Sequence, residues 1–259
     1  MRYSKKEFIK HTENIPLYRW QTTIFPVLEK VLKIDGYKNE HILDFGCGSG
    51  KLNNILRKIY SLNTYGVDIS KTMIESCLEN DSEGIYKLVE DNGNIPFEDN
   101  SFICCYSLWV FVEFESYNSI KYWIKEIYRT LKNNGKIILV INNFANLGKK
   151  ETNISHIFTM GEENKTYKIG EPFDLILKSS SSKGETGISF VDYYWPPEVY
   201  KEIFAECGFI NFKYETHANN DFYGKELKNI TENGIEIFDK REAEGLSIII
   251  SADKSETAN

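Results

Sequence analysis

Along its first 34 residues the chain repeats apolar side chains at helical intervals. Phe8 and Ile9, then Leu17, Trp20, Ile24, Phe25, Val27, Leu28, Val31 and Leu32, recur so as to line a single face. This spacing predicts two helices before any strand, forming an amino-terminal lid over residues 1–36. From about residue 40 the period changes. Short β-rich runs alternate with helical stretches: HILDF, a helix over 50–60, TYGVDI, a helix over 70–79, and GIYKLVE. FICCYSLWVF follows, then a helix from about 117 to 131, the turn Lys132-Asn133-Asn134-Gly135, and KIILVIN. Strands and helices alternating at this spacing predict βαβ units on a parallel sheet. Continuous apolar runs such as KIILVIN suit strands covered on both faces.

Residues 143–195 break that rhythm. They are polar, rich in Lys, Glu, Ser and Gly, with short strands expected at FDLILK and ISFVDYY around the turn-like SSSSKGET. An insertion after a core strand reads as a substrate cover. The core pattern then resumes with a helix opened by Pro196-Pro197 and closed by Gly208, followed by FINFKYE and LSIIISA. The expected architecture is one Rossmann-like α/β domain, its mostly parallel sheet carrying helices on both faces. Its core spans 37–142 and 196–252, and the tail 253–259 is expected to be disordered.

Composition narrows the functional classes. With 259 residues and 41% hydrophobic content the chain can bury one substantial core. The 31 basic and 38 acidic residues give a net charge of −7, with no basic run long enough to track a phosphate backbone, so nucleic acid is not the expected partner. The amino terminus MRYSKKEFIKHTEN has no apolar core of a secretion signal, and no apolar run approaches the roughly 18 residues of a membrane span. A cytoplasmic protein without membrane contact is expected. The five cysteines have no C-x-x-C spacing and the four histidines are scattered, so neither a disulfide framework nor a metal site is predicted. Cys104 and Cys105 lie inside an apolar run, where a thiol packs as a small hydrophobe.

The chemistry concentrates at HILDFGCGSG. A strand ends in Asp44 and runs into Gly46-x-Gly48-x-Gly50 directly before a helix. Glycines allow a sharp turn and close backbone approach to a ligand, and the helix that follows offers unpaired N–H groups. Asp68 ends the second strand candidate, where an acid can accept hydrogen bonds from ribose hydroxyls or simply cap the next helix. An acid precedes the glycines and the G-x-x-G offset is missing. A dinucleotide pyrophosphate would sit poorly beside Asp44, whereas a methionine amino group would be served by it. Asp91 and Asn92, in EDNGNIPFEDNSF, fall at the end of the third strand candidate on the same rim.

These segments, DFGCGSG, VDIS, DNGNIPFEDNSFI and RTLKNNGKIIL, resemble in order and spacing the class I S-adenosylmethionine (SAM)-dependent methyltransferases, in particular the type 11 group. The resemblance covers roughly residues 38–142, with AECGFINF similar to a segment near the end of the same fold. It implies a seven-stranded sheet with a terminal hairpin and SAM across the carboxyl ends of strands one to four. Asp44, Gly46, Cys47, Gly48 and Gly50 would lie at the methionine part, Asp68 and Ile69 at the ribose, and Asp91 with Asn92 at the adenine edge. Phe102-Ile103 stands where the family often has Phe-Asp, and Asn133-Asn134-Gly135 replaces Pro-Gly-Gly.

The acceptor side departs further. SLWVFVEF places Glu113 where the family often has His, beside Trp109, Phe111 and Phe114. Glu113 could deprotonate the acceptor or hold a cationic amine; an exposed helix-capping carboxylate is the plain alternative. Tyr18 and Trp20 in the lid, and Asp192, Tyr193 and Trp195 after the insertion, are expected around the substrate. Arg19 is placed at the methionine carboxylate. The expected activity is methyl transfer to a nitrogen or oxygen of a small metabolite or modified peptide, with an amine favoured. A non-catalytic SAM-binding subunit and a nicotinamide-dependent oxidoreductase are the competing readings, and oligomeric state is left open.

Overall fold

The computed structural model describes residues 36–91, 93–150, 152, 158–177, 188–216 and 247–256. The two helices expected within 1–36, with Tyr18, Arg19 and Trp20, lie outside them, as does Asn92.

Seven strands form the main sheet: β1 (His41–Phe45), β2 (Asn63–Asp68), β3 (Ile85–Leu88), β4 (Phe102–Leu108), β5 (Leu131–Asn142), β9 (Phe209–Thr216) and β10 (Ser247–Lys254). Their order is β3-β2-β1-β4-β5-β10-β9. The first five pair in parallel, and β10 is antiparallel to both neighbours, completing the terminal hairpin. Among the described residues, four helices accompany them: α1 (Lys51–Tyr60), α2 (Lys71–Asn80), α3 (Tyr117–Thr130) and α4 (Pro197–Glu206).

Alternation along β5 shows why both faces are covered. Ile137, Leu139 and Ile141 enter a core shared with α3 (Ile120, Trp123, Ile124, Ile127) and α4 (Tyr200, Ile203, Phe204). Ile138 and Val140 enter a second core with Leu52 and Leu56 of α1. A strand buried on both sides reads as a continuous apolar run, the pattern seen in KIILVIN. The expected turn at Lys132–Gly135 is instead absorbed into an irregular start of β5, where register shifts against β4 and Asn134 adopts φ 60°.

Residues 143–195 carry a separate antiparallel sheet of β6 (Phe158–Met160), β7 (Pro172–Leu177) and β8 (Ile188–Tyr193). The paired β7 and β8 match the two strands expected there; β6 was not anticipated, because three residues are too few to show a period. Phe144, just after β5, packs edge-on against Phe173 and Tyr194, with ring centroids 6.1 and 5.0 Å apart.

Residues 253–256 of the tail expected to be disordered belong to the described structure. β10 continues through Lys254, whose buried Nζ donates to Leu131 O (2.6 Å), Tyr128 O (2.9 Å) and Asn100 Oδ1 (3.0 Å). The ammonium thus satisfies carbonyls left open at the carboxyl end of α3, a capping role that the polar string DKSETAN conceals. Lys254→Met should strand these acceptors and lower stability by about 2 kcal/mol. A urea unfolding midpoint indistinguishable from wild type would contradict that role.

Candidate active site

Because β1 to β5 run in parallel, their carboxyl ends share one edge, and strand order reverses at β1 between β2 and β4. Ligands in open α/β sheets bind at such a point. Every segment singled out around the glycine loop leads to this edge.

Gly46, Gly48 and Gly50 have φ of +78°, +53° and +71°, in the left-handed region that only glycine enters freely. Gly46 and Cys47 donate backbone N–H to Val67 O at 2.8 and 2.9 Å, seating the loop on β2. A Cβ on Gly48 would meet nothing within 4 Å, so the loop backbone faces open space there. Gly50 is the N-cap of α1 and offers no side-chain cap, which leaves the first N–H groups of that helix available to a ligand.

Asp68 braces the loop. Its Oδ2 accepts from Gly48 N–H at 2.9 Å and its Oδ1 from Ser70 N–H at 2.8 Å. Burial raises its pKa above the usual carboxylate range, and the backbone hydrogen bonds from Ser70, Gly48 and Ile69 offset part of that rise. Two carboxylate oxygens have about four acceptor sites, so room remains for a hydroxyl. Ile69, apolar yet 55% exposed, offers a face beside it. Asp91 is exposed just beyond β3, whose continuation Val89 donates to Asp68 O at 2.9 Å.

Asp44 is only 3% exposed. Burial pushes its carboxyl well above the usual range; Tyr106 hydrogen bonding pulls it partly back, and Asp68 pushes it further up. The folded state therefore holds this proton to higher pH than the unfolded chain. Ionising Asp44 costs stability as pH rises from the ordinary carboxylate range through the raised one, and a cation beside it would cancel that cost.

Cys47 contacts Cys77, with sulfurs 4.0 Å apart, and Cys77 donates to Gly48 O at 3.1 Å. The Cys77 hydrogen bond and burial hold the Cys47 thiol well above its normal pKa. It stays protonated and acts as a small prop beneath the loop.

The acceptor-side residues fall into two groups. Trp109 follows β4 with φ 56°, unusual for a bulky side chain, and its Nε1 donates to Ser247 Oγ at 3.1 Å. The 3₁₀ turn Phe111–Glu113 continues from it, with Glu113 half-buried. A Cβ on Gly46 would fall 2.3 Å from Val110 Cγ2, so the segment leading to Glu113 lies directly against the glycine loop.

Asp192, 5% exposed on β8, accepts from Asn142 Nδ2 at 2.7 Å, tying the small sheet to the carboxyl end of β5. Trp195 is buried in the main core and donates to Phe114 O at 2.8 Å, so its ring supports the rim from beneath. Tyr193 is half-buried beside it. Asn142 and Ser247 went unnoticed in the sequence. The available signal is a polar residue closing one apolar strand, β5, and opening another, β10. Among the described residues no group of three or more metal-ligating side chains gathers, and no helix is long and apolar enough to cross a membrane.

Comparison with known proteins agrees with this fold. Residues 43–139 match the family model for a methyltransferase domain. The chain is 24% identical over 205 residues to N-demethylindolmycin N-methyltransferase of Streptomyces griseus, covering 77% of this chain and 83% of that one. It is 33% identical over 105 residues to the 18S rRNA (guanine(1575)-N(7))-methyltransferase of Saccharomyces cerevisiae, covering 38% of each. A SAM-dependent methyltransferase of Clostridium acetobutylicum has a similar structure, with TM-score 0.59, 13% identity and coverage of 96% and 99%. The ribosomal RNA relative removes the support for excluding nucleic acid on net charge alone.

Proposed function

We propose that this SAM-dependent methyltransferase, as its methyltransferase-domain match and fold support, methylates a nitrogen of a small metabolite or modified peptide. The buried Asp192 on the small sheet, hydrogen-bonded to Asn142 at the end of β5, is the observation that carries the choice of acceptor. An acid near the carboxyl end of β5 would suit a cationic amine held on the rim with Trp109 and Glu113. Oxygen is the other acceptor atom such a rim could serve.

The extent of similarity supports a small acceptor. The rRNA enzyme matches over 105 residues, close to the size of the methyltransferase core. The match to the N-methyltransferase runs to 205 residues, which must include flanking segments where acceptors are chosen.

SAM, when bound, supplies a methyl carbon activated by its sulfonium. The positive-φ glycines would let the loop approach the methionine part, and Asp44 would offset its amino charge. Asp68 would accept from the ribose, and Asp91 with Asn92 would hold the adenine edge. Arg19, Tyr18 and Trp20 would close the methionine and acceptor sides from the lid. Glu113 would take the acceptor proton or orient its amine, and Trp109 and Tyr193 would keep water from the transfer path, with the buried Trp195 supporting the rim from beneath. Residues 143–195 act as the cover.

The first test is calorimetric titration with SAM, S-adenosylhomocysteine and NAD, followed by an amine panel with labelled SAM. Binding of both adenosyl ligands but not NAD, and label transfer to an amine, would support the reading; transfer only to RNA would overturn the acceptor. For an amine acceptor, Asp192→Asn should lower kcat/KM about 50-fold, corresponding to loss of a charge-assisted hydrogen bond. Affinity for S-adenosylhomocysteine should stay unchanged. Equal losses in both would move Asp192 from acceptor binding to general structure.

A further inference from the structure

Between β3 and β4 the chain returns from the carboxyl edge of the sheet to its amino edge, and the described residues of this crossover contain no helix. A crossover without a helix makes few internal backbone hydrogen bonds, so its backbone needs partners from elsewhere. One stripe of α3 supplies them: Tyr122, Glu126 and Arg129, at i, i+4 and i+7.

Arg129 Nη2 donates to Ile95 O at 2.9 Å, and Nη1 donates to Phe97 O at 3.0 Å and Asp99 Oδ1 at 2.7 Å. Glu126 Oε2 accepts from Ile95 N–H at 3.0 Å and holds Arg129 Nη2 at 2.8 Å. The Tyr122 hydroxyl donates at 3.3 Å toward both Gly93 O and Asn94 Oδ1. Gly93 N–H in turn donates to Glu90 O at 2.8 Å, closing the turn that carries Asp91.

We propose that the Tyr122-Glu126-Arg129 stripe sets the position of the 90–93 turn and thereby the affinity and base preference of the adenine end of the cofactor site. These are positioning residues, acting through the turn without contact to the ligand. The physical step is restraint: the crossover is gripped at Gly93, Ile95, Phe97 and Asp99, and Ile95 is almost fully buried. Asp91, two residues before Gly93, is thus held at the rim. An acidic side chain there accepts from the exocyclic amino group of adenine, which hypoxanthine lacks. The inference rests on the assignment of adenine to the Asp91 side.

The test compares S-adenosylhomocysteine with S-inosylhomocysteine by calorimetry on the full chain. Wild type should prefer the adenosyl ligand. Arg129→Lys keeps a charge for Asp99 but cannot bridge two carbonyls and Glu126 together, and should bind S-adenosylhomocysteine about tenfold more weakly. The inosyl ligand should change little, so the preference collapses. Tyr122→Phe, at an exposed position that spares folding, should shift the preference the same way by a smaller factor. A preference retained in both variants, or equal weakening of both ligands, overturns the proposal. Absence of any preference in wild type overturns the adenine assignment, and with it this inference. Absence of S-adenosylhomocysteine binding in wild type instead overturns the cofactor reading.

Discussion

Replacing Asp68 with Ala is expected to weaken SAM and S-adenosylhomocysteine binding about 100-fold while the protein still folds. Two losses combine. On the proposed assignment the ribose loses its carboxylate partner, and Gly48 and Ser70 lose the acceptor for their N–H groups, held at 2.9 and 2.8 Å. Loss of hydrogen bonds to a charged acceptor is worth about 1.5–3 kcal/mol each in favourable settings, and 100-fold corresponds to about 2.7 kcal/mol. The same release should lower stability by about 1 kcal/mol, because Gly48 N–H can find water once the loop loosens.

The effect on stability has a pH signature. Burial raises the Asp68 pKa in the folded state, so ionising it costs stability as pH rises from the ordinary carboxylate range through the raised one. Asp68→Ala removes that contribution, and the variant should lose less stability over this interval than wild type does. Asp68→Asn separates the two roles. It keeps an acceptor oxygen for one N–H but lacks the charge, so it should hold the loop better than Ala while binding remains impaired. Calorimetric titration and thermal melting of both variants provide the measurements, and unchanged ligand affinity in Asp68→Ala would remove the residue from the site.

The pairing that Asp68 makes could not be read from the chain, although the residue itself could. HILDFGCGSG and TYGVDI disclose strands, glycines and acids because each signal is local: an apolar run, a turn requirement, a charged residue at its end. The same holds for α1, α2 and α3, whose observed limits lie within one or two residues of the pattern. What resisted reading was long-range. Asn142 and Asp192 are 50 residues apart, and their hydrogen bond depends on how a three-stranded sheet settles against the end of β5. Arg129 was visible as part of RTLKNNG, but its grip on Ile95 and Phe97 arises from a crossover that lacks a helix. Trp195 is expected at the substrate because it follows the insertion, whereas its ring is buried in the core. Lys254 was assigned to a tail because its neighbours are polar; its carbonyl partners come from α3 and the start of β5.

Gly46→Ala is expected to be the most damaging single methyl in the glycine loop, and comparison with Gly48→Ala shows why. At Gly46 the backbone has φ +78°, and a Cβ would lie 2.3 Å from Val110 Cγ2, 3.1 Å from Cγ1 and 3.2 Å from Cβ. Left-handed backbone costs an L-residue about 1–2 kcal/mol, and overpacking adds about 1–3 kcal/mol. Valine is stiff at χ1 and cannot swing aside, so the backbone of the loop or of the Val110 segment must move. That movement would displace the methionine position and the turn leading to Glu113 together. At Gly48 the φ is +53° but a Cβ meets nothing within 4 Å. Its methyl should cost only the left-handed backbone term, yet project into the space the cofactor backbone contacts require. Gly46→Ala should therefore lose about 3 kcal/mol of stability as well as binding, and Gly48→Ala should lose binding with a stability change of about 1 kcal/mol. Adding Val110→Ala to Gly46→Ala removes the clashing methyls and should recover stability relative to Gly46→Ala alone, while the same change beside Gly48→Ala should recover none. Chemical unfolding of the four variants reads this directly; equal destabilisation by the two glycine substitutions, without rescue at Val110, would mean that the loop does not pack against the Glu113 segment.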